Sequence, residues 1–392
     1  MKVCTECNAL VLEEFTAGHS EWHRTLMKAI LVAANVIDGT DEMTMVSDNG
    51  TKSVPMLRNS ERSDFKRCVL RWHWRYNEHL VPIDFNVGPL VFGSLGHIAL
   101  AEYYPPGLKR GPHPAETWDE ITKDLIDFVK VESKYFDDEI EATWEDAKAL
   151  GHDMLVNYVD HYHGDQQWHV LWTEDQFHQL IPHPSKPEPI VNYVGTIDLV
   201  VRNLETGRIE YVDHKFMKTI ETEHLYIDNQ NGGYLTIGTH ELRKRGVIGP
   251  KEVVRVLVYN FLRKAKHDTR PQNKFGEYLN KDGTVSKKQP SRYFHRERIE
   301  RVAAERNTQI KRIAQEAYWM KAVRAGLLPI TKTPMDRCRW DCKFFDLCNI
   351  HEAQEDIEYA KEALFNKEDP YAEYRGETQP KTLAGHQLLL GR

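Results

Sequence analysis

The sequence predicts an α/β protein in which helices enclose a small mixed sheet. Apolar residues recur with helical spacing between Trp118 and Tyr162, and residues 293–325 are typical of a long charged helix. Between these two regions the chain contains short runs of β-branched and aromatic residues, separated by turn-forming residues. This order of helices, sheet and helices is typical of a three-layer α/β domain.

The composition limits the class of protein further. The 392 residues are 41% hydrophobic and 10% aromatic, enough for one large domain with additions or for two ordinary domains. No stretch approaches the roughly 18 apolar residues that span a bilayer, and the N-terminus lacks the layout of a secretion signal. We therefore expect a cytoplasmic protein with no membrane partner. There, its six cysteines would be metal ligands or bystanders rather than disulfides.

Each predicted element follows from its local pattern. The predicted helices cover Leu10–Ala34, Phe65–Tyr76, Phe92–Tyr103, several pieces between Trp118 and Tyr162, His224–Arg245 and residues 293–325. The predicted strands are Val170–Thr173, Phe177–Ile181, Val191–Val201, Ile209–Val212 and Val253–Phe261. Residues 1–55 are predicted to form a partly flexible extension with a loop at Asp38–Lys52. Residues 56–350 would form the main domain, and residues 351–392 an acidic tail.

Charge is distributed unevenly along the chain. The net charge is -7, yet Arg263–Arg312 contains 15 Lys and Arg against 6 Asp and Glu. Glu352–Glu377 has the opposite balance, with 9 Asp and Glu against 3 Lys and Arg. Taken alone, the basic stretch is a solvated helix face plus a loop. It indicates nucleic-acid binding only if it borders a site that needs phosphate contacts. In that case we expect it to bind strand phosphates, with the interleaved Phe275, Tyr278, Tyr293 and Phe294 stacking on bases.

Two carboxylates are predicted to meet on neighbouring strands. Asp198 lies inside one predicted strand and Asp213 ends the next, so a hairpin would bring them together. Residues two apart share a face of a strand, which places Lys215 beside Asp213. Paired carboxylates repel each other unless a cation lies between them, and Mg²⁺ or Mn²⁺ is the best fit. An Asp-x-Lys triplet alone is usually a solvated hairpin end, but Asp198 unpaired in a buried strand would cost several kcal/mol.

These motifs have a recognisable order. Gly195-Thr196-Ile197-Asp198, then Asp213-His214-Lys215, then Gln230-Asn231-Gly232-Gly233-Tyr234 resembles the signature of RecB-like nucleases in the PD-(D/E)XK superfamily. The resemblance covers about residues 60–350 and implies that family's restriction-endonuclease-like core. It also implies that Asp198, Asp213 and Lys215 are catalytic, with Gln230 and Tyr234 supporting them from the next helix. The two glycines in that helix would permit close approach of a nucleic-acid backbone.

The resemblance also supplies the expected metal ligands. Nucleases of this family carry a histidine after a glycine-rich helix start, and Gly93-Ser94-Leu95-Gly96-His97 matches that pattern. His97 would therefore bind the metal together with Asp198, Asp213 and the backbone carbonyl of His214. Glu174 matches an acidic position of the family, and its role is left open.

Three cysteines are clustered near the C-terminal end of the predicted domain. Cys338, Cys342 and Cys348 fall within eleven residues, and Cys68 is the candidate fourth ligand from a distant helix. Three grouped thiolates plus one remote thiolate are a common arrangement for an iron–sulfur cluster. The alternatives are a zinc site completed by His351 or His73, and free thiols.

The resemblance extends to these cysteines. The iron–sulfur members of the family, such as the AddB-type repair nucleases and the CRISPR-associated adaptation nucleases, have one cysteine before the nuclease motifs and three after them. A 4Fe-4S cluster on Cys68, Cys338, Cys342 and Cys348 would then join the N- and C-terminal parts of the domain. Cys4 and Cys7 have no partner pair and are interpreted as incidental.

The implied function is metal-dependent hydrolysis of DNA phosphodiester bonds. By analogy with the family, we expect a single-strand or end-directed exonuclease of recombination, repair or replication, from a phage or a bacterium. The chain has no phosphate-binding Gly-x4-Gly-Lys-Ser/Thr loop, so any helicase or recombination motor would be a separate partner. The alternatives are a catalytically inactive nucleic-acid-binding or assembly protein with the same fold, and a zinc-stabilised structural protein.

Overall fold

We describe the fold from a computed structural model. It describes residues 2–3, 10–11, 54–83, 89–132 and 137–377. Cys4, Cys7 and the predicted loop at Asp38–Lys52 lie outside this part, as does most of the helix predicted to start at Leu10. The first two residues of that helix, Leu10–Val11, form a strand instead, paired antiparallel with Lys2–Val3, so its predicted start is wrong.

The secondary structure is mixed. The α-helices are α1 (Asn59–Arg67), α2 (Val69–Trp72), α3 (Pro89–Tyr103), α4 (Pro114–Glu132), α5 (Asp138–Tyr162), α6 (Asn229–Lys244), α7 (Ala303–Arg324), α8 (Cys338–Asp341), α9 (Phe345–Glu352) and α10 (Ile357–Leu364). The strands are β1 (Lys2–Val3), β2 (Leu10–Val11), β3 (Met56–Leu57), β4 (Leu80–Pro82), β5 (Trp168–Pro182), β6 (Pro189–Asn203), β7 (Ile209–Met217), β8 (Val256–Arg263), β9 (Phe294–Glu300) and β10 (Phe365–Lys367). A π-helical turn, His73–Asn77, continues α2, and 3₁₀ turns occupy His163–Asp165, Glu223–Ile227 and Ala372–Arg375.

Two predicted elements differ from the structure. Residues 293–325 do not form one helix, because strand β9 precedes helix α7. The arginines of β9 form long-range ion pairs with Asp165 and Glu210, and local sequence propensity does not register such partners. The two strands predicted around Glu174 are one strand, β5, in which Glu174 has a φ of 42°.

The chain divides into two compact units. Unit 1 comprises Met1–Glu78, Leu180–Asn192 and Arg312–Cys342. Unit 2 comprises His79–Gln179, Tyr193–Lys311 and Lys343–Arg392. Some elements contribute to both, because β5, β6 and α7 each run across a boundary.

The central sheet has six strands and both pairing directions, as predicted. Its order is β3-β6-β7-β8-β9, and β5 also pairs with β6. Strands β6 and β7 form an antiparallel hairpin in which Leu199 lies opposite Val212. Strands β7 and β8 are parallel, with Lys215 opposite Phe261, and β9 is antiparallel to β8. The next pair along the β6–β7 register brings Asp198 opposite Asp213.

Helices of unit 2 cover both faces of the sheet. Helices α3, α4 and α5 pack on the face that contains Val201, Val212 and Val258, and Trp118 of α4 is fully buried in this core. Helix α6 covers the opposite face, where a Cβ on Gly238 would lie 2.2 Å from the hydroxyl of Tyr211. Neighbouring residues of β7 point to opposite faces of the sheet. Val212 therefore packs against α3, α4 and α5, and Tyr211 packs against α6.

Unit 1 is organised around buried ion pairs. Helix α1 ends at Arg67, and the extended backbone of Cys68 (φ −169°) separates it from α2. The guanidinium of Arg62 lies 2.5 Å from Glu316, and that of Arg324 lies 2.6 Å from Glu61. We call these two contacts the unit 1 ion pairs.

Within the part of the chain that the structure describes, no helix combines the length and the apolar character that a membrane crossing requires.

Candidate active site

The two predicted carboxylates lie side by side at the point where β6 and β7 pair. Asp198 is 7% exposed and Asp213 is 2% exposed. One oxygen of Asp198, Oδ2, accepts a hydrogen bond of 2.6 Å from the backbone N–H of His214. Burial of two carboxylates at adjacent positions is unfavourable without compensating cations, so their neighbours decide what the site can do.

His97 reaches this pair because helix α3 packs tightly against β7. A Cβ on Gly96 would lie 2.3 Å from the ring of Phe216, so only glycine permits this approach. As a result, His97 Nδ1 lies 3.3 Å from Asp198 Oδ2 and 3.3 Å from Glu174 Oε1. The glycine-rich helix start predicted from the sequence therefore has a direct structural role at Gly96.

Glu174 joins the site through an unusual backbone conformation. Its φ of 42° is in the left-handed region, which non-glycine residues seldom occupy and which costs about 1–3 kcal/mol. The ligand atoms of His97, Glu174 and Asp198 all lie within 4.8 Å of one another. Among the described residues no other set of three or more His, Cys, Asp or Glu meets this criterion. We refer to Glu174, Asp198 and Asp213 as the acidic triad.

A chain of polar contacts holds the other predicted residues together. Lys215 Nζ lies 2.6 Å from Asp213 Oδ2 and donates a 3.0 Å hydrogen bond to the side-chain oxygen of Gln230. The amide nitrogen of Gln230 donates to Asp213 Oδ1 (3.1 Å) and to the hydroxyl oxygen of Tyr234 (3.0 Å). Gln230 and Tyr234 share a face of α6, so one helix fixes the position of the lysine and of the second carboxylate.

The two glycines of α6 serve packing within the protein. A Cβ on Gly232 would lie 2.8 Å from the side chain of Gln309, and one on Gly233 would lie 2.7 Å from the hydroxyl of Tyr193. Their space is thus taken by protein side chains. The expectation that they admit a nucleic-acid backbone is wrong.

Burial and the neighbouring charges shift the pKa values of Asp198, Asp213 and His97. Burial raises the pKa of Asp198 to about 6, although the nearby His97 opposes the shift. Burial likewise raises the pKa of Asp213 to about 6, against the effect of Lys215. Burial alone would lower the pKa of His97, but Asp198 and Glu174 overcome that effect and raise it to about 9. The site therefore attracts positive charge, and in the absence of another cation it takes up protons.

His214 points to the opposite face of β7 and anchors the strand from behind. Its Nδ1 is 2.8 Å from the side-chain nitrogen of Asn260, and its ring stacks on Tyr104. Burial lowers the pKa of His214 well below its usual value, so the ring is neutral. Arg296 donates to the Asn260 side-chain oxygen (3.1 Å) and pairs with the buried Asp165 at 2.5 Å. This support is not predictable from the sequence, because Arg296 falls in a segment predicted to be helical.

The predicted basic stretch divides into two parts. Arg296 and Arg298 are used in ion pairs with buried acids. Two of its aromatic residues are also occupied, since Phe294 is buried and Tyr293 stacks on His267 at 4.0 Å between ring centroids. These two rings are therefore unsuited to stacking on bases. The lysines between β8 and β9 remain exposed.

The cysteines are distributed over both units. Cys68, Cys338 and Cys342 belong to unit 1, and Cys348 belongs to unit 2. All four are half-buried, and none forms a disulfide. Cys338 Sγ accepts hydrogen bonds from Arg67 (3.4 Å) and from the backbone N–H of Met335 (3.3 Å). The hydrogen bond from Arg67 is the main cause of a lowered pKa at Cys338, which favours its thiolate.

Comparison with known proteins gives one family. The family model described as the PD-(D/E)XK nuclease superfamily matches residues 60–349. A crystal structure of a provisionally assigned exonuclease from Eubacterium rectale is similar over 73% of this chain and 88% of its own, with 12% sequence identity and a TM-score of 0.40. No curated protein matches the chain.

Proposed function

The chain belongs to the PD-(D/E)XK nuclease superfamily, and from that premise we propose that it is a metal-dependent deoxyribonuclease acting where β6 and β7 meet. The observation that carries this proposal is the group formed by His97, Glu174 and Asp198 beside the Asp213–Lys215 pair. Carboxylates, an imidazole and a lysine in one buried cluster are suited to phosphodiester hydrolysis.

The donor set fits a hard divalent cation. Carboxylate oxygens and an imidazole nitrogen are ligands that Mg²⁺ and Mn²⁺ accept, and three of them already lie within 4.8 Å of one another. Burial raises the pKa of Asp198 and of Asp213, and a bound cation would stabilise their ionised forms. His97, Glu174 and Asp198 would hold the cation, with Asp213 and the carbonyl of His214 as further ligands. When bound, Mg²⁺ or Mn²⁺ would polarise the scissile phosphate and lower the pKa of a water molecule toward neutrality.

The protein's own side chains position the reactants. Burial alone would lower the pKa of Lys215, but Asp213 and Asp198 overcome that effect and raise it, so the ammonium stays charged. It would orient the attacking water and offset the negative charge that builds on the phosphate. Gln230 holds the ammonium and the carboxylate of Asp213 at once, and Tyr234 fixes Gln230 in turn. We assign these two residues a positioning role.

We further propose that Cys68, Cys338, Cys342 and Cys348 hold a 4Fe-4S cluster with a structural role. Thiolates are the ligands of such clusters, and the hydrogen bond from Arg67 favours the thiolate of Cys338. Three thiols within eleven residues and one distant thiol are a common ligand arrangement for such a cluster, and a zinc ion is the alternative.

The test of the enzyme uses protein purified without oxygen and incubated with Mn²⁺ or Mg²⁺. End-labelled linear single-stranded DNA and circular single-stranded DNA are the substrates, and Asp213→Ala and Lys215→Ala run alongside. Asp119→Asn is a matched control, because it removes a carboxylate that pairs with His152 outside the site. We expect loss of linear DNA while circles survive, abolished by the first two changes and retained by the third.

Other outcomes of the same assay are equally informative. Cleavage of the circles would keep the site but make the protein an endonuclease. Failure of the folded, metal-supplemented protein to cut either substrate would refute the enzyme and leave a nucleic-acid-binding or assembly protein with the same fold.

The cluster has a separate test that does not depend on activity. Iron, sulfide and zinc are measured on protein purified without oxygen, together with the visible spectrum. We expect about four iron and four sulfide per chain and a brown protein, with Cys338→Ala losing both. A colourless protein with one zinc per chain would assign these cysteines to zinc instead.

A further inference from the structure

The connection between β8 and β9 contains an internal repeat. We call this connection, residues 264–293, the basic arm. Within it, two isolated antiparallel bridges, Gln272↔Tyr278 and Leu279↔Val285, stand seven residues apart. Each bridge encloses a turn of the same sequence type, first Asn-Lys-Phe-Gly-Glu and then Asn-Lys-Asp-Gly-Thr. The arm therefore uses one type of turn twice, and each turn is closed by a single antiparallel bridge.

The two turns are closed by equivalent hydrogen bonds. The backbone N–H of Asn273 donates to the carbonyl of Glu277 (3.0 Å), and that of Asn280 donates to the carbonyl of Thr284 (2.8 Å). The Asn273 side chain donates to the Glu277 carboxylate (2.8 Å), and the Asn280 side chain donates to the Thr284 hydroxyl (3.0 Å). The same asparagine side-chain hydrogen bond is thus present in both turns, and it holds both in the same conformation.

Each turn presents one lysine in the same way. Gly276 and Gly283 have φ values of 79° and 82°, the left-handed conformation that closes this type of hairpin loop. Lys274 and Lys281 each follow the asparagine of their turn, and both are exposed. Tyr278 and Leu279 separate the two turns, so the two lysines are seven positions apart along the chain.

Polar contacts rather than a hydrophobic core hold the arm in shape. Arg270 donates to the Ser286 hydroxyl (2.8 Å) and the Lys288 carbonyl (2.9 Å). The Gln289 side chain bonds both the backbone N–H and the carbonyl of Tyr278. Between residues 271 and 289 only Ser286 is buried. A connection this long that is ordered yet buries almost nothing contributes little to the domain core, which points to a role in binding.

The arm starts at the catalytic edge of the sheet. Strands β7 and β8 are parallel, so the chain leaves β8 on the side toward which Lys215 and Met217 lead. Lys264, the first residue of the arm, donates its N–H to the carbonyl of Met217 at 2.7 Å. Its ammonium lies 5.4 Å from the ring centroid of Phe92, on the helix that carries His97. The start of the arm therefore lies on the catalytic side of the sheet, within unit 2.

The charge and the exposed aromatic ring of the arm indicate which class of ligand it binds. Residues 264–293 contain eight Lys and Arg against three Asp and Glu in a chain whose net charge is -7. Phe275 is 75% exposed at the tip of the first turn, with the ammonium of Lys274 5.0 Å from its ring centroid. Proteins that bind single-stranded nucleic acid without sequence preference place positive charges along its phosphate backbone and stack exposed aromatic rings on its bases.

We propose that the basic arm is a clamp for a single-stranded polynucleotide that enters the catalytic edge. Lys274 and Lys281 bind phosphates, and Phe275 stacks on a base. This rests on the proposed nuclease function, since it names how that site takes its substrate. DNA and RNA strands share the chemistry that the arm recognises, and the experiment distinguishes them.

Binding is measured by fluorescence anisotropy with EDTA, so that no cleavage occurs. The probes are labelled single-stranded DNA, single-stranded RNA of the same sequence, and the DNA duplex. The variants are the double change K274Q/K281Q and Phe275→Ala. The control is K109Q/K123Q, which removes two exposed lysines of the same unit outside the arm. A fourth variant, Gly283→Ala, strains the second turn because alanine disfavours the positive φ of 82° at this position. It changes no charge, and the added Cβ would have no atom within 4 Å.

The arm predicts a specific result for each variant. Two lost phosphate contacts should reduce the slope of log affinity against log salt by about 1.4, at roughly 0.7 per contact for single strands. Phe275→Ala should weaken binding between about fivefold and a hundredfold. Gly283→Ala should weaken it less, and K109Q/K123Q should match the unchanged protein. Effects confined to DNA or to RNA would identify the strand. Unchanged affinity and slope, or effects on the duplex alone, would overturn the proposal.

Cleavage assays separate this proposal from the one it rests on. If the clamp is correct, arm variants lose kcat/KM on long strands but keep the activity of the unchanged protein on a dinucleotide, which is too short to reach the arm. If the unchanged protein cuts nothing while the arm variants lose binding, the nuclease fails and the clamp stands. If long strands are cut equally by all variants, the clamp fails and the nuclease stands.

Discussion

The two clusters of buried charge in this molecule are balanced in different ways. In the unit 1 ion pairs each carboxylate has an arginine of its own, at 2.5 and 2.6 Å. In unit 2 the acidic triad has Lys215 as its one close lysine or arginine among the described contacts, together with the titratable His97. The first cluster is complete without a ligand. The second has three carboxylates against one ammonium and one imidazole, and burial raises the pKa of Asp198 and Asp213 to about 6. Buried charge thus serves structure where it is neutralised and chemistry where it is not.

The largest effect should come from breaking a complete pair. Arg62→Met leaves Glu316 buried without its arginine, and we expect the free energy of unfolding to fall by about 3–5 kcal/mol. Urea unfolding followed by tryptophan fluorescence measures the loss. Lys66→Met is the matched control, because this half-exposed lysine lies 3.3 Å from the same carboxylate and should contribute under about 1 kcal/mol. Equal losses of unfolding free energy in the two variants would show that the buried Arg62 contact is no stronger than the half-exposed Lys66 contact.

In unit 2 the corresponding change should affect activity instead. Lys215→Met removes the ammonium that lies 2.6 Å from Asp213, and we expect kcat to fall by about 10²–10³-fold. Mn²⁺ titration by electron paramagnetic resonance should show binding at least as tight as before, because a positive charge next to the metal ligands is gone. Lys123→Met, an exposed lysine on α4, is the control. Loss of both activity and Mn²⁺ binding would mean that Lys215 holds the site together rather than acting in the reaction.

The contrast between the two clusters also explains what the sequence could predict. Asp198, Asp213 and Lys215 were placed correctly relative to one another because a hairpin and the two-residue period of a strand are local rules. Gln230 and Tyr234 followed from helical spacing for the same reason. Their roles in catalysis remain predictions, as do the domain boundaries.

Features fixed by distant partners were not predictable. Strand β9 was predicted as helix because Arg296 and Arg298 suit a charged helix face, and their partners are Asp165 and Glu210, far away in sequence. The left-handed backbone of Glu174 has no local signal either, since nothing in its neighbours requires it. In both cases tertiary contacts decide the local conformation.

A smaller effect tests the cost of the unbalanced charge. The folded pKa of Asp198 is raised from 3.8 to about 6, so its ionisation destabilises the metal-free fold above that pH. Asp198→Asn should therefore raise the free energy of unfolding at pH 8 by on the order of 2 kcal/mol. The gain should shrink as pH falls from about 6 to 3.8, because the carboxyl becomes protonated in both states. Thermal unfolding in EDTA across this range measures it, with Asp119→Asn as the surface control. A destabilised variant at pH 8 would mean that the ionised carboxylate supports the fold.

The smallest predicted effect is the release of a single proton when the metal binds. The pKa of His97 is raised to about 9, so at pH 7.5 the ring is protonated and must lose that proton before its nitrogen can bind a cation. Asp198 and Asp213, with pKa values of about 6, are already ionised at that pH. Binding of Mn²⁺ should therefore release about one proton per ion, and the affinity should rise as pH increases toward 9. Calorimetry in two buffers of different ionisation enthalpy counts the protons. His97→Gln should bind more weakly and release almost none, whereas release of no proton by the unchanged protein would remove His97 from the set of ligands.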